Sequence, residues 1–310
     1  MLENVISKSL PRRHFLRRAG AAAAATLASF PVCAEQRGAM ASIFSGMSTF
    51  EDVWRTVGNR FYDPQLRGLD WAEVREQYIS DAARATSEDE LAGVINRMLS
   101  LLRASHTRYY TSDEPEYYQL ADIFAGALRR RGLERAFPGG RVSYPGIGIL
   151  SRTDDASRSL VSGVIEGTAA KQAGLLAGDA IVSADGGPFR PVKSFRDKIG
   201  ERMVLTLRRA GRIVQVQVTP TDIEPNKMFL EGMEASARVL QSQGRRIGYV
   251  HVWCYAGYAY QRALANLLSE GALRDADALI WDLRDGWGGA VPQLTPKKAA
   301  STWHASRSSF

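Results

Sequence analysis

The residues best suited to chemistry lie near the carboxyl end of the chain, in the run Asp282-Leu283-Arg284-Asp285-Gly286-Trp287-Gly288-Gly289. A short apolar segment at 278–281 precedes the run and is typical of a strand. The Gly288-Gly289 pair can present bare backbone N–H groups to a ligand, because neither residue carries a side chain. Taken alone, a glycine pair after a strand more often marks a tight turn, so its interpretation depends on the surrounding elements.

Those elements form a strand–helix–strand unit. Partly alternating apolar residues predict a strand at 246–253, and helical spacing predicts a helix at 258–268. The apolar segment predicts a second strand at 278–283, and a further helix is predicted at 229–241. Such a unit predicts parallel strands, and ligands bind beyond the carboxyl ends of parallel strands, where the run at 282–289 lies.

A second group of glycines opens a β-rich unit. Gly146-Ile147-Gly148-Ile149 stands at its start, and turn signals occur at 185–187 and 210–211. Two short helices fit at 169–173 and 194–199. The predicted strands are 147–150, 160–165, 180–184, 203–208 and 213–218.

The residues before this unit predict a small helical domain at 41–128. Asp70 and the capping box Ser87-Glu88-Asp89-Glu90 predict the starts of two helices. Ser105-His106-Thr107 follows as a turn, and we interpret His106 as a hydrogen-bonded turn residue in preference to a catalytic one. Apolar residues recur at helical spacing on the first helix: Phe50, Val53, Trp54, Val57 and Phe61.

The first 34 residues are similar to an export signal. The pair Arg12-Arg13 precedes Phe15-Leu16 and an alanine-rich apolar stretch, and Val32-Cys33-Ala34 suits cleavage after Ala34. The arrangement resembles a twin-arginine signal and predicts a periplasmic or secreted protein. An ordinary secretory signal and an uncleaved anchor are the alternatives, and the anchor would be the predicted contact with a membrane.

Charge and composition argue against several classes of function. The net charge is +7, but residues 1–34 carry five Lys or Arg against one acid, and 292–310 carry three against none. The body between them is balanced, which argues against a nucleic-acid partner. Cys33, Cys254 and the four scattered histidines lack metal-ligand spacing, so we predict no metal. No nucleotide-binding fingerprint stands out, and no cofactor is predicted.

Residues 144–219 resemble a PDZ domain. Gly146-Ile147-Gly148-Ile149 resembles the PDZ carboxylate-binding loop, and residues 163–170, 173–175, 178–182 and 185–186 match the PDZ core pattern. The resemblance implies that successive backbone N–H groups converge on a terminal carboxylate, while the peptide pairs as an added strand beside a helix. Protein or peptide C-termini are therefore the expected partners. A PDZ-like module that only packs against its neighbours is the alternative.

The order of these segments is similar to that of the C-terminal processing peptidases, also called tail-specific proteases. The resemblance is most specific at the PDZ core and at Asp282-Leu283-Arg284 with Gly288-Gly289. It implies a serine-type peptidase in which a Ser–Lys pair cleaves the peptide bond and a backbone N–H of Gly288 or Gly289 helps form the oxyanion hole. A lysine can act as the base only when burial lowers its pKa.

The chain departs from that family after Val291. The family's serine and lysine lie downstream of the glycine pair and have no counterpart here, and the serines and lysines of 292–310 have no periodic element to hold them in geometry. We therefore expect 292–310 to be aberrant sequence from a truncated or frame-shifted gene, and the chain to be inactive. A non-catalytic PDZ peptide-binding protein is the alternative, and a scaffold protein is a weaker one.

The predicted fold class is a multidomain α+β protein with a helical N-terminal domain, a PDZ β-barrel-like domain and a partial α/β (βαβ) peptidase core. Its boundaries follow changes in periodicity and breaks rich in Gly and Pro. The predicted segments are a signal peptide at 1–34, the helical domain at 41–128, a linker at 129–143, the PDZ domain at 144–222, the partial core at 223–291 and the tail at 292–310.

Overall fold

The computed structural model describes residues 34–129, 132–154 and 158–288. The predicted tail lies outside the described residues, as does the predicted signal peptide up to residue 33. The chain divides into two compact units: the first holds the described residues up to 111 with those of 126–140, and the second holds 112–125 with those from 141 onwards. The mixture of helices and sheets confirms the predicted α+β class.

Helices occupy most of the described chain before residue 140. Two of them begin at predicted caps: the Asp70 carboxylate accepts hydrogen bonds from two N–H groups of the following turn, and the Ser87 hydroxyl accepts from the Glu90 N–H. In a capping box the Glu90 carboxylate would accept a hydrogen bond from the Ser87 N–H. Here it accepts instead from the N–H of the preceding residue, Thr86, at 2.7 Å. The helices are α1 (Ala34–Arg60), α2 (Trp71–Arg84), α3 (Glu88–Ser100), α4 (Pro115–Ile123), α5 (Ala125–Leu128) and α6 (Leu133–Ala136).

The first unit has a hydrophobic core of its own. Phe50 from α1, Trp71 from α2 and Ile95 from α3 are buried in it, which confirms the predicted apolar faces. The Trp54 and Trp71 indoles each donate to the other residue's backbone carbonyl, at 2.7 and 3.0 Å, and so fix α1 against α2. Among the residues that the structure describes, no helix is both long and apolar enough to span a membrane.

The β-rich part of the second unit contains a six-stranded antiparallel sheet and a small two-stranded one. The six strands follow the order β2-β3-β4-β6-β7, with β5 beside β4, and β1 pairs with β8. Buried apolar residues from strands and loops fill the interior, including Ile147, Leu175 and Leu205. The elements are β1 (Tyr144–Gly146), β2 (Ile149–Thr153), β3 (Ser159–Val164), α7 (Ala169–Gln172), β4 (Ala180–Ala184), β5 (Gly187–Pro188), β6 (Met203–Arg209), β7 (Arg212–Val218) and β8 (Thr221–Ile223).

The helix predicted at 194–199 is wrong. Only a short 3-10 turn, Lys193–Phe195, forms there. The chain becomes extended at Arg196 and then adopts φ +61° at Asp197, so helical hydrogen bonding cannot continue. Phe195 is buried in the interior of the sheet, which explains why its apolar signal imitated a helix face.

A three-stranded sheet of order β11-β10-β9 completes the second unit. The predicted parallel pairing is confirmed, because β10 and β11 run parallel with His251 opposite Asp282 at their carboxyl ends. Val250, Leu264 and Phe229 lie in the core between this sheet and its helices. The elements are α8 (Pro225–Ser236), β9 (Arg238–Ser242), β10 (Arg245–His251), α9 (Tyr258–Ser269) and β11 (Ala278–Asp282).

The helix predicted at 229–241 is wrong in its second half. Helix α8 ends at Ser236, and the following residues form β9, which pairs antiparallel with β10. Gln243 and Gly244 both have positive φ, of 50° and 77°, as a two-residue hairpin turn of the right twist requires. The Gln-Gly pair was a weaker turn signal than Asn-Gly, so the hairpin was missed.

Candidate functional site

Asp282, the last residue of β11, organises the loop that precedes the glycine pair. Its buried carboxylate accepts hydrogen bonds from the Arg284 N–H at 3.1 Å, the Arg284 Nε at 2.9 Å and the Tyr249 hydroxyl at 2.8 Å. The hydrogen bonds from the Arg284 guanidinium hold the pKa of the Asp282 carboxyl well below its ordinary value, against the opposing effect of burial. Asp282 therefore stays ionised at neutral pH and acts as an anchor for the loop.

The loop after β11 lies against the loop after β10. Both loops stand beyond the carboxyl ends of parallel strands, the edge at which the sequence predicts a ligand site. Three backbone hydrogen bonds of 2.9 Å join them: Val252 N–H to the Asp282 carbonyl, Trp287 N–H to the Trp253 carbonyl and Tyr255 N–H to the Gly288 carbonyl. The position of the 283–288 loop is thus set by the end of the neighbouring strand.

His251 adds a side-chain contact to the same loop. It is buried at the end of β10, and its Nε2 lies 2.9 Å from the Arg284 carbonyl oxygen. The imidazole also lies against the Trp253 ring, with ring centroids 3.5 Å apart. These contacts make His251 part of the support for the loop.

Of the two candidate oxyanion donors, Gly288 is described and Gly289 lies outside the described residues. Gly288 is exposed and adopts φ +67°, a conformation that a side chain disfavours. A Cβ added to Gly288 would meet nothing within 4 Å. The backbone conformation, and not close packing, therefore accounts for glycine at this position.

The predicted carboxylate-binding loop, Gly146-Ile147-Gly148-Ile149, is buried and tightly constrained. The Ile147 and Gly148 carbonyls accept hydrogen bonds from the Ala170 and Ile165 N–H groups, at 2.8 and 3.0 Å. Within the described ranges, no hydrogen-bond partner is found for the Ile147 or Gly148 N–H. The loop therefore has its acceptors satisfied and two donors unsatisfied, which is the polarity that binding of an anion requires.

Gly148 is a position where only glycine fits. Its φ is +82°, and an added Cβ would come within 2.3 Å of the Thr168 Cβ. The Thr168 hydroxyl in turn donates to the Ile165 carbonyl at 2.7 Å, so Thr168 cannot move away freely. This contact fixes the loop against the start of α7.

The two walls of the predicted peptide groove differ. Strand β2 is an edge strand of the sheet that the structure describes, so its outer edge can pair with an added strand. The helix predicted at 194–199, which could have supplied a second wall, forms only the turn Lys193–Phe195, with Phe195 buried. Recognition through this groove would therefore depend mainly on β2 and the loop at 146–149.

A side-chain hydrogen bond joins the β-rich part to the loop after the first parallel strand of the three-stranded sheet. Glu166, which lies between β3 and α7, accepts a hydrogen bond from the Trp253 indole N–H at 2.9 Å. A Cβ at Gly163 would come within 3.0 Å of the same indole ring. Trp253 therefore packs directly on the β-rich part.

The remaining candidates give no second centre. The Ser105 hydroxyl lies 2.8 Å from His106 Nδ1 in an exposed turn, so His106 is a hydrogen-bonded turn residue. Cys254 is buried, and this burial raises the pKa of its thiol. Among the described residues, no group of three or more His, Cys, Asp or Glu is placed to hold a metal ion.

Comparison with known proteins gives matches in both units. The family model of the Tricorn protease C1 domain matches residues 47–100, and that of the PDZ domain matches residues 160–209. Tricorn protease homolog 1 of Streptomyces coelicolor is 26% identical over 266 residues, and the chloroplastic C-terminal processing peptidase of Tetradesmus obliquus is 26% identical over 272 residues. The chain is a homologue of these peptidases.

These homologues are longer than the part that aligns. The alignments cover 81% of this chain in both cases, but 23% of the tricorn homologue and 53% of the C-terminal processing peptidase. The chain thus spans about half or less of the length of these relatives. The solved structure of the photosystem II D1 C-terminal processing protease matches with a TM-score of 0.44 and 20% identity, over 79% of this chain and 62% of that chain.

The predicted relationship to C-terminal processing peptidases and the predicted PDZ domain are confirmed. The tricorn relationship of the helical segment was missed, because helical periodicity reports an apolar face and nothing specific to a family. His251 and Trp253 were also missed, although they lie at the end of the first parallel strand and just beyond it, and the strand-end rule could have found them. Gln119, which contacts Trp287, gave no signal in the sequence.

Proposed function

We propose that this chain captures protein C-termini at the loop 146–149 of its PDZ domain, as part of a serine-type peptidase of the C-terminal processing class. The observation that carries the proposal is the pair of unsatisfied N–H groups at Ile147 and Gly148, beside the open edge of β2. A terminal carboxylate would satisfy both donors, and the preceding peptide residues would extend the sheet at β2.

The proposed peptide cleavage follows the Ser–Lys chemistry that the homology suggests. A serine hydroxyl attacks the scissile carbonyl after a neutral lysine takes its proton, and a backbone N–H at Gly288 or Gly289 stabilises the oxyanion that forms. The proposed oxyanion role of Gly288 or Gly289 is supported by the position of the loop 283–288. This loop lies at the carboxyl edge of the parallel strands and is held by Asp282.

The described residues do not supply the rest of this machinery. Lys198 and Lys227 lie beside Glu201 and Glu231, and no described lysine is found within hydrogen-bond distance of a serine hydroxyl. We therefore expect the described part of the chain not to hydrolyse peptides by itself. The same observation favours the second candidate function, a non-catalytic PDZ protein that binds peptides.

Export belongs to the same proposal. Arg12-Arg13 followed by Phe15-Leu16 and an apolar stretch supports delivery by a twin-arginine signal to the periplasm or the exterior.

A pair of peptides tests the proposal. A fluorescent peptide with a free terminal carboxylate and its amidated twin are titrated with the full chain, and binding is followed by fluorescence polarisation. We expect amidation to weaken binding by roughly tenfold or more, because it removes the charge-assisted hydrogen bonds to the loop. Equal affinities would contradict the loop assignment. Incubating the same free peptide with the chain and measuring intact peptide by mass spectrometry checks the expected absence of hydrolysis, and consumption of the peptide would contradict the non-catalytic candidate.

A further inference from the structure

We infer that Gln119 is a positioning residue for the loop that precedes the glycine pair. Gln119 lies on α4 and is fully buried. Its Oε1 accepts a hydrogen bond from the Trp287 indole Nε1 at 2.8 Å, across a sequence separation of 168 residues. Trp287 directly precedes Gly288, so this contact fixes the residue next to the proposed oxyanion donors. The catalytic role of the loop rests on the proposed function, whereas the contact between Gln119 and Trp287 is independent of it.

The orientation of the Gln119 amide follows from its neighbours. An indole N–H can only donate, so the amide oxygen must face Trp287. The amide nitrogen then faces the Tyr144 hydroxyl at 3.3 Å. Burial raises the pKa of the Tyr144 hydroxyl, which therefore stays neutral and can accept this hydrogen bond. Both ends of the buried amide are thus occupied, and a residue lacking the oxygen would leave Trp287 without its acceptor.

The exposure of the loop at 283–288 explains why the hydrogen bond between Gln119 and Trp287 is important for its position. Residues 283–286 and Gly288 are exposed, whereas Trp287 is half-buried and packs against the core of the second unit. An exposed loop gains little from packing, so hydrogen bonds to its anchors set its position. Loss of the Gln119 acceptor would leave the half-buried indole N–H unsatisfied and favour release of Trp287.

Helix α4 is itself held firmly, as a positioning element must be. The Asp122 carboxylate on α4 accepts a hydrogen bond from the Asn226 N–H at 2.8 Å, which ties it to α8. The Tyr118 ring stacks on the Tyr144 ring with centroids 5.2 Å apart. Gln119 therefore projects from a helix anchored on both sides of the residue, and its amide offers Trp287 a fixed acceptor.

The test compares Gln119→Met with the wild-type chain by hydrogen exchange and NMR. Methionine has nearly the same shape but lacks the amide oxygen. We expect the Trp287 and Tyr255 amides, which hold the loop to its neighbour, to exchange roughly three- to tenfold faster, and the Trp287 indole proton to lose its protection. Amides of β4 and β6 should be unchanged. Gln172→Met is the matched control, because Gln172 is exposed and bonds only a nearby carbonyl, and it should change neither set.

Two further variants make the outcome decisive. Gln119→Glu keeps an oxygen acceptor for the indole and should restore the protection of the Trp287 indole proton. Trp287→Phe removes the donor, and adding Gln119→Met to it should then have no further effect on the Tyr255 amide. Unchanged loop amides in Gln119→Met, or equal loosening of β4 and β6, would overturn the positioning role. None of these measurements requires peptide binding or peptidase activity, so a chain that binds no peptide would count against the proposed function alone.

Discussion

The two glycine-bearing loops of the second unit differ in burial and in how far they depend on side chains from distant parts of the sequence. The loop at 146–149 is buried, and backbone hydrogen bonds and the contact of Gly148 with Thr168 fix it directly. The loop at 283–288 is exposed except at Trp287; it too has backbone hydrogen bonds to its neighbour, but the side chains of Asp282, His251 and Gln119 add contacts that hold it from outside. The first loop should therefore be sensitive to the size of one residue, and the second to polar groups that are distant in sequence.

The largest effect is expected from Gly148→Ala. The change combines an unfavourable positive φ with a Cβ placed 2.3 Å from Thr168, and should cost about 3 kcal/mol of folding stability and abolish peptide binding. Gly174→Ala is the matched control, because Gly174 has φ +76° and open space around its Cβ, and it should cost only about 1 kcal/mol. Thermal unfolding and fluorescence polarisation measure the two quantities.

Equal destabilisation by the two alanine variants would show that the close approach of Thr168 adds no cost beyond that of the positive φ. Peptide binding that survives in a folded Gly148→Ala protein would separate the loop from recognition altogether. A valine at Gly148 is a poorer test, because its larger side chain would disturb the fold before it reported on the carboxylate.

A smaller effect is expected at the second loop from Asp282→Ala. Removing the buried acceptor of the Arg284 and Tyr249 hydrogen bonds should cost about 2 kcal/mol in urea unfolding. Asp275→Ala is the matched control, since the Asp275–Arg274 pair is exposed and should contribute less than about 0.5 kcal/mol. If the two variants lose similar amounts of folding stability, the buried position of Asp282 does not strengthen its hydrogen bonds.

The same residue predicts a dependence on pH. Because the folded pKa of Asp282 is depressed, its contribution is fully present above its unfolded pKa of about 4 and is lost as the pH falls towards the lower folded value. The wild-type chain should therefore lose more stability than Asp282→Ala between about pH 4 and pH 2. Parallel curves for the two proteins over that interval would contradict the assignment.

The same difference decides what the sequence could predict. The glycine turn at 146–149 could be located because its determinants are local: two glycines, a following strand and a helix start lie within about 25 residues. Its role in carboxylate binding came from the resemblance to a PDZ domain and stays a prediction. The parallel strands β10 and β11 were found for the same reason, since periodicity and strand order need no knowledge of distant contacts. The Asp-Leu-Arg run and Gly288 could be located as a loop after a strand, but the hydrogen bonds that hold this loop could not be predicted.

What the sequence could not predict depends on contacts between distant segments. Gln119 reads as an ordinary helix residue, and only tertiary packing brings it to Trp287. The helix expected at 194–199 failed because Phe195 packs inward on the sheet, and local propensity does not register that competition. Strand β9 was hidden because a Gln-Gly turn has little propensity signal, although its φ values suit a hairpin.

The smallest effect is expected where the two parts of the unit meet, at Glu166. Glu166→Ala removes the acceptor of the Trp253 indole N–H and should cost about 1 kcal/mol in urea unfolding. Glu166→Gln retains an oxygen acceptor and should lie within about 0.5 kcal/mol of the wild type. If the glutamine variant is as unstable as the alanine variant, the charge of Glu166 is what stabilises the contact. The contact would then resemble that of Asp282 with the 283–288 loop, where a charged carboxylate accepts the hydrogen bonds. Near-identity with the wild type would instead show that one neutral acceptor is enough to hold Trp253, whose carbonyl holds Trp287, against the PDZ domain.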